Sequence, residues 1–143
     1  MKRHLFLLAF MIIGLNAPLL SQSDLTWSTF DLNKKVSLRG ISAVSEKECW
    51  VSGTQGTVAK TTDGGLTWDY VNAPDSDSLD FRDIEVFTSN EALILSIGNG
   101  NKSRIYKTSN GGKSWRLVYQ NQNPKSFFDA FTFWNEQQGM MQG

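Results

Sequence analysis

From residue 38 onward, apolar positions come in short runs separated by clusters of Gly, Ser, Asn and Asp, the spacing of strands joined by turns. Residues 38–44 read as a first strand, 45–47 as a turn, 48–52 as a second strand, 57–61 as a third and 67–72 as a fourth. Gly53 and Gly56 bracket the connection between the second and third. The same order returns over 81–87, 92–97, 104–108 and 114–119. Residues 92–97, Ala-Leu-Ile-Leu-Ser-Ile, are almost continuously apolar, which predicts a strand covered on both faces.

The repetition is sharpest at two hairpins. Thr61-Thr62-Asp63-Gly64-Gly65-Leu66-Thr67-Trp68 returns as Thr108-Ser109-Asn110-Gly111-Gly112-Lys113-Ser114-Trp115. The Asp63 or Asn110 side chain suits acceptance of hydrogen bonds from its own turn, and paired glycines permit a left-handed backbone. Thr67 or Ser114 can tie the return strand to the turn, and Trp68 or Trp115 supplies apolar surface for packing beside the next repeat. These groups are therefore read as structural: Thr61, Asp63, Gly65, Thr67 and Trp68 in one copy, Thr108, Asn110, Gly112, Ser114 and Trp115 in the other. Asp24-Leu25-Thr26-Trp27 matches the tail of the motif, which predicts an outer strand over 25–30 that closes a ring by completing a blade built from the other chain end. Trp27 to Trp68 is 41 positions and Trp68 to Trp115 is 47, a period suited to four-stranded propeller blades. The six extra positions fall in connections, two between the repeats and four between Arg82 and Asn110.

A third repeat begins near the C-terminus. Phe127-Phe128-Asp129-Ala130-Phe131-Thr132-Phe133 aligns with Phe81-Arg82-Asp83-Ile84-Glu85-Val86-Phe87, which puts Phe128 where the earlier repeats carry arginine. Gly143 falls within a residue or two of the places of Gly98 and Gly53. The predicted class is all-β, a partial β-propeller of four-stranded antiparallel blades: 24–35 as the ring-closing strand, 36–72 and 79–120 as blades, and 126–143 as the start of another. Closed rings need about four to eight blades. The 143 residues are accordingly expected to be part of a longer gene product.

At the N-terminus, Lys2-Arg3-His4 precedes 11 apolar or Gly residues over 5–15, the pattern of a secretory signal peptide over 1–23 with cleavage between Leu20 and Ser23. The run is short of a membrane span, so export to the periplasm or extracellular space is expected, with no stable membrane span after cleavage. Net charge is zero, and removing the leader leaves 12 basic against 14 acidic residues, so no basic field argues for nucleic acid. Cys49 is the only cysteine, which excludes an internal disulfide and a cysteine metal site; its apolar strand favours an inert thiol over a reactive one. His4 is the only histidine, so residues 24–143 lack the means for Ser-His-Asp or Cys-His catalysis and for histidine metal ligation. Asp75-Ser76-Asp77-Ser78-Leu79-Asp80 has oxygen ligands but neither the glycine nor the glutamate of a calcium loop, and reads as a solvated linker. Residues 98–103 lack the glycine a phosphate loop needs before its lysine, and Asn101-Lys102-Ser103 is a glycosylation sequon only in a eukaryotic secretory pathway. No cofactor and no metal is expected.

The hairpin motif resembles the Asp-box of sialidase-type β-propellers. Leu38-Arg39-Gly40-Ile41, Trp50-Val51-Ser52-Gly53 and Gly56-Thr57-Val58, taken with the box at 62–68 and Phe127-Phe128-Asp129-Ala130, are similar to the photosystem II stability/assembly factor family over 24–143. The resemblance implies a seven-bladed, exported propeller that binds other proteins during assembly or maturation and has no established chemistry. It also implies partner contact through arginines, which points to Arg39 and Arg82 at equivalent places on innermost strands. The other reading of these two is that they are satisfied by strand carboxylates such as Asp83 or Asp129. The expected function is thus a non-catalytic module with a protein or glycan partner. The alternative is a sialidase-like glycoside hydrolase, which needs an arginine cluster, a tyrosine with a glutamate, and an aspartate acid. Tyr70, Tyr106 and Tyr119 fall on third or fourth strands, away from a channel, so that alternative would draw its catalytic residues from further blades.

Overall fold

The computed structural model describes residues 26–143, so the signal peptide expected over 1–23 lies outside the described residues. Among the described residues, ten strands form three antiparallel sheets. The first contains β1 (Leu38–Ala43), β2 (Cys49–Gly53), β3 (Val58–Thr61) and β4 (Asp69–Tyr70), paired in that order. The second repeats the order with β5 (Asp80–Val86), β6 (Ala92–Ile97), β7 (Arg104–Thr108) and β8 (Arg116–Gln120). β9 (Ala130–Asn135) and β10 (Gln138–Gln142) form a hairpin, and one 3₁₀ turn, Gly100–Lys102, interrupts the connection from β6 to β7. Among the described residues no helix is long and apolar enough to cross a membrane.

The sheets stack with their first strands together: β1 and β2 lie against β5, and β5 lies against β9. One apolar core fills the space between the first two sheets, built from Trp50 and Val58 on one side and Phe81, Ile84, Ile94 and Trp115 on the other. The Trp50 and Trp115 rings meet edge to face at 6.3 Å, and Phe81 meets Tyr106 in the same way at 5.9 Å. Lys60 spans the sheets, with its ammonium 5.1 Å from the Trp50 ring centre and donating to the Gly111 carbonyl at 2.8 Å. Coverage explains the burial of equivalent positions: Ile84 is 3% exposed beneath the first sheet, while Ile41, its counterpart in β1, is 73% exposed.

β6 and β7 match the boundaries expected from their apolar runs. β4 is shorter than the expected 67–72 for a local reason. Thr67 is held in the preceding turn, and beyond Val71 the Asn72 side-chain carbonyl replaces a backbone acceptor for the Val58 N–H. The strand expected over 25–30 is not found among the described strands, since residues 26–37 pair with no ladder. Side chains anchor this segment instead: Tyr70 donates to the Leu32 carbonyl at 2.7 Å, Lys34 donates to Thr57, and Phe30 rests on Gly65. The Asp75–Asp80 connection is also less solvated than expected, because Ser76 and Leu79 are buried beside Gly56, whose N–H donates to the Leu79 carbonyl.

Trp50 is fully buried, meeting Trp115 of the second sheet and Lys60 opposite it in its own sheet. Trp50→Ala is expected to cost about 3–5 kcal/mol of unfolding free energy, read as a lower urea midpoint at unchanged slope; a loss below about 1 kcal/mol would refute this account of the core.

Candidate functional site

The two boxes close by the same bonding plan. In the first, the Thr61 hydroxyl accepts the Gly65 N–H at 2.9 Å and donates to Asp63 at 2.7 Å. Asp63 then accepts the Thr67 N–H at 2.9 Å through one oxygen and the Thr67 hydroxyl at 2.6 Å through the other. In the second, Thr108 accepts from Gly112 and donates to Asn110, which accepts the Ser114 N–H at 2.9 Å. The last bond reverses direction, since the Asn110 amide donates to the Ser114 hydroxyl at 2.8 Å. Gly65 and Gly112 take φ of +92° and +82°, a region costly for residues with a Cβ. The Thr, Asp or Asn, Gly, and Thr or Ser positions of each box therefore bond within the turn, and the carboxylate's two oxygens are occupied there.

The tryptophans diverge. Trp115 is buried and donates its indole N–H at 2.7 Å to the Val71 carbonyl of the previous sheet. Trp68 is half-buried and donates within its own turn, to the Gly65 carbonyl at 3.2 Å.

Arg39 and Arg82 share a feature invisible in strand propensity. The β1–β2 register passes from Leu38–Gly53 to Gly40–Ser52, and the β5–β6 register from Phe81–Ser96 to Asp83–Leu95, so each arginine is the extra residue of a β-bulge. A bulge takes a side chain out of the regular alternation and re-aims it. Each guanidinium reaches the following repeat through its Nε: Arg39 meets Asp80 and Arg82 meets Asp129, both at 3.2 Å. Asp129 was among the expected carboxylates, but Asp83 is not the partner of Arg39. Asp83 is committed elsewhere, accepting the Ile84 and Phe131 N–H groups at 2.9 Å. Neither contact has hydrogen-bond alignment, and Asp80 Oδ1 is buried without a donor.

The third repeat sits one residue away from its expected alignment. A Cβ on Gly143 would meet the Phe127 carbonyl and Phe128 Cα, just as one on Gly53 would meet the Ser37 carbonyl and Leu38 Cα. Pairing agrees: Phe131–Met141 answers to Ile41–Val51 and Ile84–Ile94. Phe128 thus takes the place of Leu38, not of an arginine, and Asp129 stands where Arg39 and Arg82 stand. Two adjacent aromatics at 127–128 hid the offset.

No tyrosine shares the bulge sites. Tyr70 and Tyr119 are on the outer strands β4 and β8, and Tyr106 in β7 is buried, its hydroxyl accepting from Arg104 at 3.2 Å. Cys49 is half-buried, and that burial raises its thiol pKa; the thiol donates to the Trp50 carbonyl. It lines an apolar groove of about 330 Å³ with Phe30, Ile41, Val51 and Trp68. Among the described residues, no group of three His, Cys, Asp or Glu is placed to hold a metal ion.

Residues 19–127 match the family model described as photosynthesis system II assembly factor YCF48. The chain belongs to this family. Two solved structures share the fold: YCF48 bound to D1 peptide, at 21% identity and TM-score 0.63, and YCF48 from Cyanidioschyzon merolae, at 21% identity and TM-score 0.65. The matches cover 77% and 80% of this chain and 36% of each solved chain, so the chain spans about a third of their length and forms a partial β-propeller. No curated protein matches it. The family's box is thus seen here twice, once with Asp and once with Asn.

The Thr67 side chain and backbone, followed by Thr61, hold the Asp63 pKa down to about 2 from 3.8. A carboxylate pKa lowered on folding stabilises above the unfolded value, and that contribution disappears as pH falls through the folded value. Asp63→Asn is therefore expected to lower the urea midpoint at pH 7, with the gap from wild type closing between pH 4 and pH 2. A gap constant across that window would show that the charge is irrelevant to the turn.

Proposed function

We propose that this chain is an exported, non-catalytic protein-binding module serving assembly or maturation, with Arg39 and Arg82 making the partner contact. The observation that carries this reading is the pair of bulged arginines on neighbouring innermost strands. Their side chains are 34% and 38% exposed, and each is engaged by one carboxylate through Nε. A guanidinium held by Nε keeps its outer nitrogens for a carboxylate or a backbone carbonyl of another polypeptide. Family membership supports the same reading, as does a YCF48 structure bound to D1 peptide. The charged and apolar leader pattern over 1–15 supports export.

The N-terminal segment fits a ring-closing part within this reading. Phe30 rests on Gly65 as Val71 rests on Gly112, and each lies three residues after its tryptophan, Trp27 or Trp68. On this reading residues 26–35 take the place of an outer strand.

A photo-crosslinking residue at position 38, which is exposed beside Arg39, introduced in the native host, is expected to capture a protein adduct. Arg39→Ala with Arg82→Ala should reduce that adduct at least about tenfold, with stability changed by less than about 1 kcal/mol. An undiminished adduct, or turnover of a fluorogenic sialidase substrate that vanishes in the double variant, would overturn the reading. Residues 1–23 fused to a phosphatase active only outside the cytoplasm should give activity, and replacing Lys2 and Arg3 with Glu should lower it. A fusion inactive on intact cells would remove export.

A further inference from the structure

The chain holds two Asn-Gly pairs, Asn99-Gly100 and Asn110-Gly111, and the fold treats them differently. In such a pair the glycine nitrogen can attack the asparagine side-chain carbonyl carbon, because the glycine has no Cβ to block the approach and its backbone turns freely. The new C–N bond closes a succinimide ring, and the side-chain nitrogen leaves as ammonia with the proton of the glycine N–H. Water then opens the ring at one carbonyl or the other, giving aspartate or, where the chain now runs through the former side chain, isoaspartate.

At Asn110 the groups this reaction needs are held. The side-chain oxygen accepts the Ser114 N–H at 2.9 Å and the Thr108 hydroxyl at 3.0 Å, and the amide donates to the Ser114 hydroxyl at 2.8 Å. The attacking nitrogen is held too, since the Gly111 N–H donates to the Asn90 carbonyl at 3.0 Å. Asn99 lacks the side-chain bonds: it is exposed, extended at φ −65° and ψ 140°, and makes no capping bond to the 3₁₀ turn that follows it. One backbone bond, from the Gly100 N–H to the Ser126 carbonyl at 3.1 Å, opposes ring closure there.

We propose that Asn99 is a site of spontaneous, succinimide-mediated deamidation in the folded chain, and that the box shields Asn110 from the same reaction. The site lies on a strap that ties the β6–β7 connection to the third repeat. Within it the Ser103 hydroxyl donates to the Gly98 carbonyl at 2.7 Å and accepts the Phe128 N–H at 3.0 Å. Isoaspartate at position 99 adds a carbon to the backbone between the Gly98 carbonyl and the Gly100 N–H, so the Gly98–Ser103 and Gly100–Ser126 bonds no longer fit together. Modification thus loosens the junction of the second sheet with the third repeat, and it does so without touching Arg39 or Arg82.

The test ages the full chain in warm, mildly alkaline buffer, with and without urea, and then digests it with trypsin. Cleavage after Lys and Arg puts the two sites in separate peptides, 83–102 and 108–113. The mass gain of an amide becoming an acid, located by fragmentation, should accumulate at Asn99 at least about tenfold faster than at Asn110 without urea, the factor expected if the box bonds must break first. In urea the two rates should converge. Asn99→Gln should abolish the gain in peptide 83–102, and amide hydrogen exchange at residues 100 and 126–128 should be faster in the aged chain than in the fresh one. Equal rates without urea, a difference that persists in urea, a gain that survives Asn99→Gln, or exchange unchanged by ageing would overturn the proposal.

Discussion

The closeness of neighbouring sheets governs this molecule. Where β1 passes β5, a Cβ on Gly40 would lie 3.0 Å from both Asp83 Cα and the Ile84 nitrogen, and it would also strike the Ser52 hydroxyl. Where the second box meets the first sheet, Gly112 has no room for a side chain against Val71. Two points of near backbone contact, one on an inner strand and one at a box, fix the spacing and leave a slot that the Trp50–Trp115 pair fills. The box hydrogen bonds serve that spacing. They hold a glycine at positive φ and deliver the tryptophan at the end of the turn, so their polar groups belong to the scaffold although their composition suggests chemistry. The Asp and Asn versions do the same task because a Ser or Thr hydroxyl both donates and accepts, letting the last bond run in either direction.

Much of the fold was legible because the repeat states it twice. The apolar run of β6 and the box-bounded β7 carried their own limits, and the tryptophan period placed the sheets in order. What escaped was set by contacts between elements. Asn72 ends β4 with a side chain that imitates a backbone acceptor, and residues 26–37 have strand-like composition but no ladder to join. The offset of the third repeat turned on whether Phe127 or Phe128 answers to Leu38. Apolarity cannot separate two adjacent phenylalanines, whereas the backbone packing of Gly143 does.

The candidate site was legible in its residues and not in its geometry. Equivalent spacing picked out Arg39 and Arg82, but a bulge is a property of a pairing register and leaves no mark on one strand alone. The Asp80 partner lies in another sheet at a position with no equivalent role in the Arg82 pair. One signal of this geometry is present in the sequence: the apolar residue three after a motif tryptophan, Phe30 or Val71, lies against the second glycine of the next box.

The ion pairs also let one arginine brace the scaffold and serve the contact proposed for it. Arg39 joins the first sheet to the second, and Arg82 joins the second to the third repeat, so the inner edge carries two positive positions followed by Asp129. Half-exposed pairs of this kind contribute only about 0–1 kcal/mol, because water and salt screen them. The apolar slot and the glycine contacts hold the sheets, so the arginines can exchange a carboxylate of this chain for one from another polypeptide at small cost. Neither pair is aligned as a hydrogen bond, and Asp80 Oδ1 is buried with no other donor. A strong, fully hydrogen-bonded pair would have fixed the arginine in place and closed that exchange; the weakness of the contact keeps the inner edge available.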